Sequence, residues 1–219
     1  MRRHLTGVNI ALVAVFAGFI AASTAVPEVT LAFGIPLSLQ TFAVVLAALV
    51  LGPWRGLAAV SLYIVVGLAG APIFANFRSG FAVLAGATGG YLVGMMLAAV
   101  VVGAVVVARR RRAPLTLSFL IGAGLLSIPV IYAVGVPWLA ARTGLPVFTT
   151  PEGCASVVDM SEGCVTALTV GVVPFLPGDV VKVILAAIAA SVIHRAYPQL
   201  LPATKAVHQA MERETAPTA

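Results

Sequence analysis

Two charged residues lie three positions apart in an otherwise apolar stretch. Asp179 follows the run Pro174-Phe175-Leu176-Pro177-Gly178, and Lys182 comes one helical turn later. Residues at this spacing share a helix face, so Lys182 can pair with Asp179 or receive the carboxylate of a ligand. Asp179 can bind a ligand or, because it precedes a predicted helix, act as the N-cap of that helix. Both roles stay open from the sequence.

A second polar set lies between two apolar runs. Asn76 offers an amide that donates and accepts hydrogen bonds, and Arg78 adds a cation. The alternatives are a turn-stabilising role for Asn76 and a lipid-headgroup anchor for Arg78. Glycine-rich backbone with aromatic residues follows, and at membrane depth such backbone is tolerated only where it is buried in protein or lines a cavity. These segments therefore predict a pocket for a small ring compound.

The residues that membrane enzymes and pumps need are missing from the predicted membrane spans. His4, His194 and His208 lie at or beyond predicted span ends, and neither H-E-x-x-H nor G-x-x-x-x-G-K-[ST] occurs. Apart from Asp179, at a span edge, the predicted spans carry no carboxylate for an ion relay. The sequence therefore favours ligand binding without catalysis, metal or cofactor.

The composition indicates that lipid surrounds these residues. Of the 219 residues, 61% are hydrophobic and 9% are charged, against about 25% charged residues in a soluble domain. The net charge of +6 comes from 13 Lys and Arg against 7 Asp and Glu. Because the basic residues cluster at the ends of apolar runs, they indicate membrane orientation and not nucleic-acid binding. We predict an all-α integral membrane protein.

Six apolar runs approach the length of about 20 residues that crosses a bilayer. In chain order they are Leu5 to Val26, Leu37 to Leu51, Trp54 to Gly70, Gly90 to Ala108, Leu115 to Val136 and Val180 to Tyr197. The first imitates a signal peptide, but its apolar run is longer than the apolar region of a usual signal peptide and similar runs follow, so we predict a span. The Gly52-Pro53 break predicts a tight hairpin between the second and third runs, the alternative being one merged segment.

The basic residues predict which side each loop faces. Six spans with a cytoplasmic start place every Lys and Arg inside except Arg78, Arg142 and Lys182. Both termini are then cytoplasmic. The predicted organisation is a membrane domain at residues 1–197, which contains an extracellular insertion at residues 149–166, and a cytoplasmic tail at residues 198–219.

The two cysteines and one pair of small residues have predicted roles of their own. Cys154 and Cys164 lie in the extracellular insertion, where an oxidising compartment favours a disulfide over two free thiols. Ala14 and Gly18 lie four apart on the first span, and such residues allow close helix contact in lipid. That face can pack within this chain or dock another membrane subunit.

Four separated motifs carry a family resemblance. They are Ile35-Pro36-Leu37-Ser38-Leu39-Gln40-Thr41-Phe42, Leu51-Gly52-Pro53-Trp54-Arg55-Gly56, Gly86-Ala87-Thr88-Gly89-Gly90-Tyr91-Leu92 and Pro174-Phe175-Leu176-Pro177-Gly178-Asp179. The pattern resembles the BioY family, the biotin-binding S components of energy-coupling factor (ECF) transporters. The resemblance covers about Leu5 to Tyr197 without the cysteine-bearing insertion. Ala87 stands where the family usually has proline.

The resemblance implies a six-helix subunit of a prokaryotic cell membrane that captures biotin from outside. It also implies a transmembrane coupling protein and two cytoplasmic ATPases as partners, which supply the missing phosphate loop. Ala14 and Gly18 are then the first expected contacts with the coupling protein. ATP is used only by the partners, so the chain itself needs no cofactor.

The chemistry of biotin matches the predicted pocket. Its ureido ring presents two N–H donors and a carbonyl acceptor, which Asp179 and Asn76 can meet. Its carboxylate can be met by Arg78, by Lys182 or by backbone N–H groups at residues 89–91. Further pocket candidates are Gln40, Thr41 and Tyr91. The alternatives are an S component for another small vitamin and, less favoured, a membrane enzyme such as a lipid-modifying hydrolase.

Overall fold

The computed structural model describes residues 7–25, 29–30, 36–37, 39–148, 154 and 164–201, and these are mainly helical. The helices are α1 (Gly7–Ala25), α2 (Gln40–Leu51), α3 (Pro53–Leu68), α4 (Phe81–Ala85), α5 (Gly89–Arg110), α6 (Leu117–Leu125), α7 (Ser127–Thr143), α8 (Ala167–Gly171) and α9 (Leu176–Ala196), with 3-10 turns η1 (Ala75–Phe77) and η2 (Pro198–Leu200). Two short strands, β1 (Val29–Thr30) and β2 (Pro36–Leu37), pair antiparallel. The predicted helical class is confirmed, and the strand pair is an addition to it.

Four helical segments in the described part of the chain are long and apolar enough to cross a membrane. They are Gly7–Thr24, Gly89–Arg110, Leu117–Thr143 and Ala167–Ala196. The apolar helices α2 and α3 are shorter, with 12 and 16 residues. At 1.5 Å per residue, helices of this length reach about 18–24 Å, less than the hydrocarbon thickness of about 30 Å.

Helix α2 forms the centre of the bundle. All of its residues except Phe42 are buried, and α1, α3, α5, α6 and α9 pack around it. A helix that is hydrophobic all round is typical of such a buried position. The turn after it depends on Gly52, whose φ of 76° lies in the left-handed region. Pro53 then begins α3, so the predicted hairpin is confirmed.

The last two apolar segments differ from their predicted bounds. Helix α7 continues through Pro137 to Thr143, whereas the predicted fifth run stops at Val136. Proline is tolerated inside membrane helices because neighbouring groups satisfy the freed backbone. Helix α9 begins at Leu176, before the predicted start at Val180, with Pro177 in its first turn. Hydropathy misses this turn because proline, glycine and aspartate dominate it.

Polar contacts tie the chain together at the end of the bundle where α2 meets α3. Arg55 donates hydrogen bonds to Oδ1 of Asn9 and to the carbonyl oxygens of Leu51 and Leu200. Arg110 donates to the carbonyl of Pro198 at 2.8 Å. We call this end, defined by Arg55 and Arg110, the basic end. The opposite end, where α9 begins, is the Asp179 end.

The α2–α3 turn also fixes how closely α5 approaches. A Cβ on Gly103 of α5 would lie 2.4 Å from Pro53 N and 2.5 Å from Gly52 C. Real Cβ atoms do not come so close to backbone, so only glycine fits without a shift of the helices. Small residues serve this purpose at helix crossings in membranes.

We expect Gly103→Ala to lower the free energy of unfolding by about 1–3 kcal/mol, because the added methyl overpacks the crossing. Thermal unfolding of the detergent-purified protein measures the change. Gly122→Ala is the matched control, since a Cβ there would meet nothing within 4 Å. Equal melting temperatures for the two variants would contradict the close crossing.

Candidate ligand-binding site

Asp179 lies inside α9 and is buried, with 7% of its surface exposed. Its backbone N–H donates to the carbonyl of Phe175 at 2.9 Å, and Phe175 is the N-cap residue of the helix. The N-cap role that the sequence left open for Asp179 is therefore wrong. Its carboxylate instead lies in the first turn of α9, where the helix dipole favours negative charge.

The helix start near Asp179 arises from a break in the last long apolar segment. Helix α8 ends at Gly171 and α9 begins at Leu176. The N–H groups of Phe175 and Leu176 both donate to the carbonyl of Val172, at 3.0 and 2.9 Å. Tight turns therefore satisfy the interrupted backbone. Discontinuous membrane helices of this kind place a helix terminus inside the bundle, where it can face a ligand.

Lys182 forms an ion pair with Asp179. Its Nζ lies 3.1 Å from Oδ1, and the side chains of Lys182 and Asp179 are 5% and 10% exposed. Of the two roles that the spacing allows for the ammonium of Lys182, the structure therefore shows the pairing with Asp179. A buried charge without such a partner is strongly destabilising, so each of the two residues requires the other.

Tyr132 of α7 joins Asp179 and Lys182 in one polar group, which we call the Asp179 group. Tyr132 was not among the predicted site residues. Its hydroxyl donates to Oδ2 of Asp179 at 2.7 Å, across 47 positions of sequence. In the sequence Tyr132 is one aromatic residue in an apolar run, with nothing to indicate its partner. The only available signal is general: the hydroxyl of a buried tyrosine usually finds a hydrogen-bond partner.

Tyr91, a predicted pocket residue, lies directly behind this group. Its ring meets that of Tyr132 edge to face, with the centroids 6.3 Å apart. Its hydroxyl donates to the carbonyl of Gly171 at 2.9 Å. Gly135 of α7 makes room for the ring, because a Cβ there would lie 2.6 Å from a ring carbon. Tyr91 therefore packs α5 against both α7 and α8.

Gln40, another predicted pocket residue, belongs to a separate cluster at the Asp179 end. Its Nε2 donates to the hydroxyl of Tyr63 at 3.0 Å, and Tyr63 donates to the carbonyl of Ile73 at 3.3 Å. Thr24 donates to the same carbonyl at 2.5 Å. Thr41 is buried next to Gln40 in the first turn of α2. This cluster fastens the chain after α3 onto α1, α2 and α3.

Asn76 and Arg78 lie in an exposed turn beyond Ile73. The turn is closed by a hydrogen bond of 3.0 Å from Phe74 N to the carbonyl of Arg78. Asn76 has a φ of 58°, in the left-handed region that asparagine adopts more readily than most residues. Among the hydrogen bonds and ion pairs of the described residues, none joins Asn76 or Arg78 to Asp179.

An apolar cavity of about 570 Å³ adjoins the Asp179 group. It lies between α7, the chain that follows α7, and α8. Tyr132 contributes to its wall, so this one side chain contacts both the cavity and the buried carboxylate. The other lining residues are Ala133, Val136, Pro137, Val147, Phe148, Leu168 and Val172.

The remaining predicted residues lie away from this group. Cys154 and Cys164 are joined by a disulfide, with Cα atoms 5.6 Å apart. The rest of the predicted insertion up to residue 163, apart from Cys154, lies outside the described residues. Ala14 and Gly18 are exposed on α1, and a Cβ on Gly18 would meet nothing within 4 Å. That face is therefore not used for packing among the described residues.

The sequence of this chain matches the model of the BioY family over residues 1–199. The chain belongs to the BioY family. As a BioY-family member with four candidate spans among its described residues, it is a multi-pass prokaryotic membrane protein. The bundle is also similar to a crystal structure of the S-component for biotin from an ECF-type ABC transporter, with a TM-score of 0.71 and 22% identity. That similarity covers 89% of this chain and 95% of the other, and it shows a shared fold.

Named relatives match most of the chain. The biotin transporter BioY of Rhodobacter capsulatus is 38% identical over 195 residues, which are 88% of this chain and 96% of the relative. The biotin transporter BioY of Rhizobium etli is 32% identical over 200 residues, 89% and 97% of the two chains. That of Thermotoga maritima is 36% identical over 156 residues, 71% and 79%.

The ion pair generates a stability prediction for this BioY-family chain. We expect Asp179→Asn to lower the free energy of unfolding by about 3–5 kcal/mol, because it leaves the ammonium of Lys182 buried without a counter-charge. The double variant Asp179→Asn/Lys182→Met removes both charges and should recover most of this loss. Thermal unfolding in detergent measures both. A single variant that melts no earlier than the double variant would contradict the buried pair.

Proposed function

We propose that this chain is the substrate-binding subunit that captures biotin from outside the cell and delivers it inward with an ATP-driven ECF module. The observation that carries the proposal is the buried carboxylate of Asp179 at a helix break, in a chain whose relatives are named biotin transporters. Biotin brings two ureido N–H donors, and a carboxylate screened from water is a strong acceptor for them.

The carboxylate of Asp179 retains the capacity to bind such donors. An ionised carboxylate offers about four lone-pair sites. Lys182 engages Oδ1 and Tyr132 engages Oδ2, so each oxygen keeps a further site. Biotin can therefore add to the existing group without breaking it. The same geometry leaves Lys182 facing Asp179, where its ammonium supplies the counter-charge.

The other contacts to biotin are assigned by chemistry. Asn76 would meet the ureido carbonyl, and Arg78 the carboxylate of the tail, since both extend from the exposed turn after Ile73. Gln40 and Tyr91 already have hydrogen-bond partners within the chain, so they would contribute to the shape of the pocket and not to polar contacts with biotin. Thr41, next to Gln40, would do the same.

We also propose six spans with both termini in the cytoplasm. The four long segments then provide four of the spans, and the shorter helices α2 and α3 provide the other two. This is supported by the basic end, which contains Arg55 of α3, Arg110 in the last turn of α5 and Arg195 in the last turn of α9, because basic residues favour the cytoplasmic side. The domain organisation would be a membrane domain at residues 1–197, an extracellular insertion at 149–166 and a cytoplasmic tail at 198–219.

The proposed partners are a transmembrane coupling protein and two ATPases. The exposed face of α1 around Ala14 and Gly18 suits a helix of the coupling protein, because small residues allow close backbone approach in lipid. We propose no catalytic role, no resident cofactor and no nucleic-acid partner for this chain. Hydrolysis of ATP would belong to the partners.

Purified protein should bind labelled biotin, and unlabelled thiamine or riboflavin at equal concentration should not displace it. The double variant Asp179→Asn/Lys182→Met should raise the dissociation constant by about 10- to 100-fold, because the charge-assisted hydrogen bonds to the ureido group are lost. Equilibrium binding measures both. Displacement by one of the other vitamins, or an unchanged constant in the double variant, would contradict the proposal.

The docking face generates a separate prediction. Gly18→Leu should abolish co-purification with the coupling protein while leaving biotin binding unchanged, because the leucine holds the partner helix away. Ala104→Leu, at an exposed position of α5, is the matched control and should co-purify normally. Normal co-purification of Gly18→Leu would place the docking face elsewhere.

A further inference from the structure

We propose that Tyr132 is a positioning residue for the substrate: its hydroxyl fixes the carboxylate of Asp179 in the orientation that receives the ureido group. The inference rests on the proposed function, since it assigns a role within the same site. Tyr132 is carried to this position by α7, whereas Asp179 and Lys182 both lie on α9. The hydrogen bond from Tyr132 therefore joins the carboxylate on α9 to α7.

The geometry around the carboxylate divides its two oxygens between two donors. Lys182, on the same helix as Asp179, donates from Nζ to Oδ1 at 3.1 Å. Tyr132, on α7, donates from its hydroxyl to Oδ2 at 2.7 Å. A carboxylate held by one donor can rotate about its terminal bond, a broad torsion in aspartate. Two donors from different helices fix the plane of the group. The unused lone pairs then point in fixed directions.

Tyr132 is itself held in place by Tyr91. The two rings meet edge to face, and the hydroxyl of Tyr91 donates to Gly171 at the end of α8. The pair therefore contacts both sides of the break, with Tyr91 holding α8 and Tyr132 holding α9. A displacement of either half of the broken segment would change the direction of the carboxylate.

Tyr132 also lines the apolar cavity next to the site. Biotin combines a ureido group with an apolar thioether ring, so a residue that faces both an apolar wall and the carboxylate suits the junction between these parts. A tyrosine with only a packing role could donate to a backbone carbonyl, as Tyr91 does. Tyr132 donates to the buried acid instead.

The test compares Tyr132→Phe in two backgrounds by equilibrium binding of labelled biotin. In the wild-type background we expect the dissociation constant to rise about tenfold. In the Asp179→Asn/Lys182→Met background we expect a change of less than about twofold, because the residue acts through Asp179. Tyr197→Phe, the same change at an exposed position at the far end of α9, should leave binding unchanged.

An infrared measurement on the ligand-free protein gives a second readout. The carboxylate stretching band that disappears in Asp179→Asn is assigned to Asp179, and it should shift in Tyr132→Phe but not in Tyr197→Phe. A purely structural role for the ring would leave this band in place, because the phenylalanine ring preserves the packing.

The outcomes separate the two proposals. If wild-type protein binds biotin and Tyr132→Phe binds it equally well, the inference is overturned and the proposed function stands. An equal loss of affinity in both backgrounds would also overturn it, because Tyr132 would then act independently of Asp179. If wild-type protein does not bind biotin, the proposed function fails and the inference fails with it.

Discussion

The negative charge of Asp179 is buried in the mainly apolar interior of the helix bundle. Such a charge is stable only when it is paired and hydrogen-bonded. Three features meet this requirement together: Lys182 one turn later, the hydroxyl of Tyr132 and the start of α9. Two of these features depend on other parts of the fold. The start of α9 depends on the break between α8 and α9. The ring of Tyr132 packs against that of Tyr91, whose hydroxyl donates to the carbonyl of Gly171 at the end of α8.

The two ends of the bundle differ in how their polar groups are used. At the basic end, arginines from α3 and α5 donate to backbone carbonyls of η2, which closes the chain after α9 against the bundle. At the Asp179 end, the buried carboxylate keeps unused acceptor capacity. The arginines of the basic end therefore donate to carbonyls of the same chain, whereas the Asp179 carboxylate can accept donors from a ligand. In the proposed function, capture takes place at the Asp179 end, and energy comes from the ATPases through a coupling protein docked along α1.

Local sequence signals predict much of this fold and part of the site. Apolar runs predict the main helices, Gly52-Pro53 predicts the hairpin, and the spacing of Asp179 and Lys182 allows their pairing, because all of these depend on neighbours in the chain. The contact from Tyr132 could not be predicted, since it joins residues 47 positions apart and tyrosine is common in apolar helices. The continuation of α7 through Pro137 was missed because tertiary packing overrides a residue that usually breaks helices. The early start of α9 was missed because proline, glycine and aspartate lower the hydropathy of its first turn.

The most direct test of the central claim is a structure of the protein with biotin bound. The account predicts a ureido nitrogen within hydrogen-bonding distance, about 2.7–3.2 Å, of an Asp179 carboxylate oxygen, with the contacts to Lys182 and Tyr132 retained. Biotin bound elsewhere, with the Asp179 carboxylate contacting only Lys182 and Tyr132, would contradict it.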